Sequence, residues 1–278
     1  MNYGTIVVCG GGCYGGYYVR QLARARAAGA LTVDRVAVVD RDPACRAALL
    51  IDAIARDDVK GMSEHGWHMH RDDGTMATTT SPEPGYRGLP IEFVCSEWSP
   101  FFRDWFAQAI DAPDTAAHDA VVPSPLMPNL LADWIVSRVV AYRPSAGVVR
   151  RRVGAIPDTP WKRESTDMES YYVSFATWMC PINCIEPPRC PETRGPRDWT
   201  MPAAVQAAVR NAAQQGRIYD VLAIFRTTHR LFGVGMFDAA DAVGADHAIR
   251  AAASKPELKI LVASVSHCHG ALAEITSS

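Results

Sequence analysis

The chain reads as an α/β protein, a doubly wound parallel sheet in residues 1–150 followed by a smaller α+β domain in residues 151–278. Three observations predict this. The first 42 residues run strand, glycine turn, helix, strand and acid. Short apolar runs then alternate with helical periodicity as far as Tyr142. After Ser170 the rhythm changes to strand, helix, strand, strand, helix, strand.

In the opening segment, TIVVCGGGCYGGYYVRQLARARAAGALTVDRVAVVDRD, the glycines Gly10, Gly12 and Gly15 fall at the G-x-G-x-x-G spacing. The first permits a tight turn, the second lets a pyrophosphate approach the backbone, and the third brings helix and strand together. The free N–H groups and partial positive charge of the following helix start then face the phosphates. Asp40 closes the second strand at a distance from Gly15 near the ~20 residues at which a carboxylate meets a ribose 2′-OH. It favours NAD and repels the 2′-phosphate of NADP, whereas Arg41 would pair with that phosphate, so NADP stays open. Cys13, inside the turn, is read as a small residue that fits there.

Residues 43–57 carry the apolar face of a helix with Leu49, Leu50 and Ile54. The stretch 60–90, rich in Gly, Thr, Pro, His and Asp, is a long excursion from the sheet. Its His65, His68 and His70 permit chelation of a divalent ion, and equally describe a loop or lid over the crevice. Sheet rhythm resumes with the strand at 91–95, a helix near 100–110, the strand at 119–122 and a helix near 128–142. Parallel strands deliver their carboxyl ends to one edge, so Gly10 to Gly15, Asp40, Ser96 to Trp98 and Pro123 to Pro125 are expected to share a crevice there.

In the second half, strands are expected at 171–178, 220–227, 231–237 and 258–265, with helices at 202–215 and 238–253. The implied βαββαβ order is ferredoxin-like, an antiparallel sheet with two helices on one face. The boundary between the halves falls in residues 143–170, where Pro157, Pro160 and several charges interrupt the pattern.

The chemistry-bearing segment is WMCPINCIEPPRCPETRGPRDW, which has five prolines and whose loop 180–190 holds Cys180, Cys184 and Cys190. Prolines restrict the backbone and lower the entropy cost of holding three sulfurs together. The last expected strand leads into Ser266-His267-Cys268-His269-Gly270. Cys180, Cys184, Cys190 and Cys268 would make an all-sulfur site for a [4Fe–4S] cluster or zinc, and His267 or His269 in place of one sulfur a Cys₃His site. A metal-free redox loop with a reversible Cys180–Cys184 disulfide is the alternative. Arg194 and Arg197 flank Gly195-Pro196 and are candidates for a carboxylate or phosphate clamp on the substrate. Glu186, if partly buried, is a candidate acid or base, and His267 or His269 a candidate proton donor. His229 sits at an expected hairpin turn with no partner visible in the sequence.

A net charge of −2 gives no bulk attraction to nucleic acid or to an anionic membrane, and no apolar run reaches the length of a membrane span. The chain enters its first strand without a basic leader, so a cytoplasmic location is expected. Eight cysteines in a chain of this length do not make a disulfide framework.

The first 40 residues resemble NAD(P)-binding Rossmann proteins, including the glycine turn of siroheme-synthase-like dehydrogenases and the nucleotide domain of TrkA-like regulators. The resemblance covers about a seventh of the chain and implies a Rossmann-like sheet and a cofactor class, not a reaction. The expected function is an NAD(P)-dependent oxidoreductase with a cysteine-ligated metal or iron–sulfur centre, acting on a small-molecule substrate, with a homo-oligomer left open. A non-enzymatic redox, metal or nucleotide sensor and an S-adenosylmethionine-dependent transferase are the alternatives.

Overall fold

The structure, a computed structural model, describes residues 1–56, 67–70, 76–79, 86, 88–124, 129–167, 169–176 and 184–278, with 67–70 and 76–79 described through their backbone. The first part of the chain forms β1 (Asn2–Cys9), α1 (Cys13–Ala27), β2 (Thr32–Asp40), α2 (Arg46–Ala55), the hairpin of β3 (Trp67–His70) and β4 (Met76–Thr79), β5 (Ile91–Cys95), α3 (Trp98–Asp111), β6 (Ala120–Val122) and α4 (Leu130–Tyr142). There follow β7 (Val148–Arg151), β8 (Trp161–Glu164), β9 (Ser170–Ser174), α5 (Met201–Gln214) and β10 (Val221–Arg226). The chain ends with β11 (Thr228–Leu231), β12 (Val234–Asp238), α6 (Ala239–Ala252), β13 (Leu258–Val265) and β14 (His269–Ser277). His65 lies outside the described residues; His68 and His70 sit on β3, whose backbone pairs with β4.

The molecule is a mixed α/β protein with two six-stranded sheets. The first has the order β11-β12-β6-β1-β2-β5, in which β6, β1, β2 and β5 are parallel and β12 and β11 close one side antiparallel. The second has the order β10-β13-β14-β9-β8, with β7 also paired to β14. Here β10 and β13 are parallel and the other pairings antiparallel.

Apolar residues on both faces of the central strands dictate how the sheets stack. In β1, Ile6 and Val8 pack with Val19, Leu22 and Leu50 of α1 and α2, while Val7 and Cys9 face the opposite way. That second layer holds Phe102 and Phe106 of α3, Trp134 and Ile135 of α4 and Ile249 of α6. It is shared with Phe225, Ile260 and Ile275 of the second sheet. On the far side of that sheet, Leu261, Ala263, Val265 and Leu272 pack on Met201 and Val205 of α5. The layers therefore run helix, sheet, helix, sheet, helix, and the middle helices serve both sheets. Within that middle layer the fully buried Asp246 of α6 accepts from Arg138 Nε at 2.6 Å and from the Tyr142 hydroxyl at 2.8 Å, which compensates its desolvation and fixes α4 against α6.

The βαββαβ expectation for the second half requires correction. The strands β11 and β12 do not pair with β10; they add to the first sheet, Phe237 opposite Val121 and Asp238 opposite Ala120. A strand absent from the expectation, β14, stands beside β13 in their place. Residues 228–238 thus complete a sheet begun by residue 2, and the sheets do not divide at one point in the sequence. The reversal between β11 and β12 is made by Phe232 and Gly233, both with positive φ (47° and 80°), the conformation that two-residue hairpin turns require.

Where β12 hands over to α6, Asp238 takes a bidentate ion pair from Arg230, with Nη2 to Oδ2 at 2.8 Å. Asp241 lies in the first turn of the helix nearby. Burial first, and then the Asp238 charge, push the Asp241 carboxyl up to about 6. Because the folded-state value exceeds the unfolded one, its contribution to stability is fully present below about pH 4 and lost as pH rises through about 6. Replacing Asp241 with Asn should flatten the stability profile in that window. In thermal melts the advantage of Asp241→Asn over the parent protein should grow from pH 4 to pH 7, and an unchanged difference would contradict the assignment.

Candidate functional site

The glycine turn follows from the need to leave β1 and enter α1 within three residues. Gly10 adopts φ +89°, open to glycine at no steric cost, and its N–H bonds the Val39 carbonyl of β2 at 2.8 Å. A β-carbon on Gly15 would collide with the Gly10 carbonyl, so the third glycine is required by contact between helix and turn. A β-carbon on Gly11 would run into Cys45 Sγ. Gly12 differs, because nothing lies within 4 Å of the position its β-carbon would take. It caps α1 without a side-chain hydrogen bond, and the first turn of α1 carries no acidic residue. The first-turn N–H groups of α1 therefore have no side-chain cap, and the nearest carboxylate, Asp40, is spent on the Gly11 N–H just before the helix.

Asp40 grips this turn. Its Oδ2 accepts the Gly11 N–H at 2.6 Å and its Oδ1 the Asp42 N–H at 2.9 Å, while Ser96 N–H bonds the Asp40 carbonyl at 3.0 Å. The Trp98 indole N–H bonds the Val39 carbonyl at 2.8 Å and lays its ring against Gly10. Arg41 is exposed and pairs with Glu97 at 3.5 Å. Of the predicted crevice, the structure thus brings together Gly10 to Gly12, Asp40, Ser96 and Trp98; Pro125 lies outside the described residues. Burial pushes the Cys9 thiol up to about 12, the Ser124 N–H offsetting this only in part, so Cys9 is inert core.

The second cluster forms at the carboxyl ends of the same sheets. Phe237 opposite Val121 sets Gly235 level with Pro123, one residue past the end of β6, and His229 pairs with Gly235 across the hairpin. The parallel strands β10 and β13 end at the same place, where Thr227 N–H bonds the Val265 carbonyl at 2.8 Å. Onto this junction folds Glu186, with φ 54°, a left-handed conformation costly for a residue with a side chain. Its Oε1 accepts the His267 N–H at 3.1 Å, and its Oε2 lies 3.2 Å from His229 Nδ1. The two side chains are 15% and 22% exposed, which leaves a shielded acid–imidazole pair. Burial alone would raise the Glu186 carboxyl, but the His229 contact and the His267 N–H outweigh it and hold it below the usual carboxylate range.

The cysteine and histidine candidates are separated by the β13–β14 hairpin. His269 is on β14 and its Nδ1 lies 2.9 Å from the Ser174 hydroxyl of β9, which makes it part of sheet pairing. His267 and Cys268 form the turn, Ser266 Oγ accepting the Cys268 and His269 N–H groups at 3.3 and 3.1 Å. Arg197 donates from Nε to the Pro187 carbonyl at 2.9 Å and places Nη1 on Cys268 Sγ. Arg194 is exposed, with φ 57°, and does not share this site. Burial pushes the Cys268 thiol up to about 11 despite Arg197. Buried Cys190 is opposed by burial too, yet the Thr193 N–H and hydroxyl, the Glu192 N–H and Arg197 hold its thiol below the ordinary value. In this cluster Arg197 Nη2, Trp199 Nε1 and His267 Nε2 are shielded from water without a hydrogen-bond partner among the described residues, as is His229 Nδ1, whose approach to Glu186 lacks hydrogen-bond geometry. Each such group costs about 1–3 kcal/mol.

Cys180 lies outside the described residues, and among the described residues no three His, Cys, Asp or Glu side chains gather to hold a metal ion. The Cys268 sulfur instead has a guanidinium beside it, a fixed cation where a bound metal would set its own charge. The sequence reading missed His229 and Trp199. His229 meets an acid far away in sequence, and its only signal was an imidazole on a short strand beginning at Thr228.

Fold and clusters together define a two-sheet α/β protein with a glycine turn and a shielded acid–imidazole pair at the carboxyl edge. Over residues 131–277 the chain matches the AF_1314_C family, described as "Uncharacterized protein, C-terminal domain", and it belongs to that family. The match takes in Glu186, Cys190, Arg197, Trp199, His229 and His267, and leaves the glycine turn outside. No curated protein and no solved structure matches the chain. No helix among the described residues is long and apolar enough to cross a membrane.

The two glycines give opposite expectations in urea titrations. Gly15→Ala should lose more than about 1 kcal/mol of stability because its methyl meets backbone, and Gly12→Ala less than about 1 kcal/mol because its methyl meets nothing. Equal losses would show that the contact between Gly15 and Gly10 is not what shapes the turn.

Proposed function

We propose that the chain is an NAD-dependent oxidoreductase of a small molecule, with a Rossmann-like first sheet. The order β5-β2-β1-β6 supports the sheet reading, since the chain builds outward from β1 on one side and then returns to its other side, leaving a switch point between β1 and β6. The observation that carries the cofactor reading is the uncapped first turn of α1 after Gly12, which holds no acidic residue of its own and is set by the close approach of Gly15 to Gly10. A pyrophosphate fits the N–H groups of Gly12 and the first turn of α1, those of Gly10 and Gly11 being engaged by Val39 and Asp40. Asp40, Asp42 and Glu97 put three carboxylates around Arg41 at the ribose end, a field that favours a free 2′-OH over a 2′-phosphate. NAD, when bound, supplies the hydride acceptor or donor.

The chain's own contribution is proton management and positioning. Glu186 accepts from the His267 N–H and lies beside His229 Nδ1, so the imidazole is oriented to exchange a proton with a substrate oxygen. His229, in contact with Glu186, replaces His267 and His269 as the imidazole of choice.

Calorimetry with NADH, NADPH and S-adenosylmethionine tests the reading. NADH should bind, NADPH at least about tenfold more weakly, and S-adenosylmethionine not at all. Absence of NADH uptake by folded protein would overturn it, and uptake of S-adenosylmethionine alone would select the transferase. In NADH-linked screens of aldehydes and 2-oxo acids, His229→Gln should reduce turnover by about 10²–10⁴ with NADH binding unchanged. Undiminished turnover would remove His229 from the proton path.

A further inference from the structure

Three donors stand unused in one place. Arg197 and Trp199 lie at the Cys268 sulfur and His267 precedes it in the turn, and contacts hold the first two side chains and the His267 backbone in place. The Arg197 N–H bonds the Pro188 carbonyl at 2.8 Å and its Nε the Pro187 carbonyl, while Nη1 rests on Cys268 Sγ, so Nη2 is the free edge of an immobilised fork. The Trp199 indole stacks on Phe175 with centroids 5.4 Å apart, and Phe175 N–H bonds the Cys268 carbonyl at 3.0 Å. The His267 backbone is held at both ends, its N–H on Glu186 and its carbonyl accepting from Met201 N–H at 2.8 Å. Arg197 Nη2, Trp199 Nε1 and His267 Nε2 are all buried without an acceptor among the described residues.

From this cluster we infer a binding site for a small carboxylate beside Cys268, lined by Arg197, Trp199 and His267. A carboxylate offers two oxygens and about four lone-pair sites, enough to satisfy three donors at once. Donors already fixed by stacking and backbone contacts lose little entropy on binding. The charge balance selects a monoanion. Arg197 supplies one positive charge and the Glu186 carboxylate lies nearby, so a dianion such as phosphate would carry an excess. The site adjoins the Glu186–His229 pair through His267 and Cys268, which places a carboxylate-bearing substrate with its remaining carbons toward the imidazole. The carboxylate site itself does not depend on the dinucleotide reading, because none of its groups belongs to the glycine turn.

The test is an indole N–H titration of the full chain without nucleotide, using ¹⁵N-labelled protein and pyruvate, with inorganic phosphate as the second arm. The Trp199 signal is identified by its loss in Trp199→Phe, which keeps the stack on Phe175 and removes only the donor. Pyruvate should move that signal with a Kd on the order of 1 mM. Trp199→Phe should weaken pyruvate binding about five- to tenfold, and Arg197→Lys at least as much, each with an otherwise intact amide spectrum. If Trp199→Phe fails to fold, the loss of pyruvate affinity in Arg197→Lys still decides. A Trp199 signal unmoved by pyruvate up to about 20 mM, on the order of twenty times that Kd, overturns the proposal. So does a signal that moves with phosphate and not with pyruvate. Because nucleotide is absent from the tube, failure here is distinct from failure to bind NADH.

Discussion

The antiparallel pairing of β12 with β6 is the constraint on which the rest of the structure depends. Two facing residue pairs, Phe237 with Val121 and Asp238 with Ala120, return a chain already building its second sheet to the sheet it began with. The return forces α3, α4 and α6 into a single layer packed by both sheets, where the aromatic groups of Phe102, Phe106, Trp134, Phe225 and Phe237 meet. It also carries His229 to the carboxyl edge of the parallel strands. Without this crossing, Glu186 would lose its contact with the His229 imidazole.

Electrostatics divides that edge into two unlike regions. Around the glycine turn, backbone N–H groups gather and side-chain carboxylates stand at the rim, with Asp40 spending one oxygen on Gly11. Around Cys268, polar side chains are withdrawn from water and held by backbone carbonyls, and the thiols respond in opposite directions. Cys268 is pushed up by burial, while Cys190, wrapped by the Thr193 and Glu192 donors, is drawn down. Arg197 lies close to both sulfurs, so the difference comes from the stronger desolvation at Cys268 and the extra backbone and hydroxyl donors at Cys190.

Much of the first sheet was legible because local rules and tertiary need agree there. The glycine spacing, the alternating apolar residues of β1 and β2 and the helical face of α2 each answer to a short-range requirement, and α5 and α6 followed from their periodicity in the same way. The partners of β11 and β12 were not legible, since a short apolar hairpin with a Phe-Gly turn suits the edge of either sheet. The strand β14 was missed because His267, Cys268 and His269 read as a ligand loop, when they mark a tight turn and the start of a strand in which Leu272 and Ile275 are buried on opposite faces. The same crowding of ligand types in sequence suggested a metal centre. A hairpin then sends neighbouring side chains to different partners, His269 to Ser174 and Cys268 to Arg197. The Glu186–His229 pair was hidden for the reverse reason, two residues distant in sequence joined only by the crossing of the chain.

The central claim is that the glycine turn and the Glu186–His229 pair serve one bound dinucleotide from the same edge of the sheets. Carbon–proton NMR of the histidine rings, with the His229 signal assigned by its absence in His229→Gln, measures this directly during titration with NADH and with ADP-ribose. The account predicts that NADH moves the His229 signal and that ADP-ribose, which lacks the nicotinamide, moves it less. Saturable NADH binding that leaves the His229 signal where it was would contradict it.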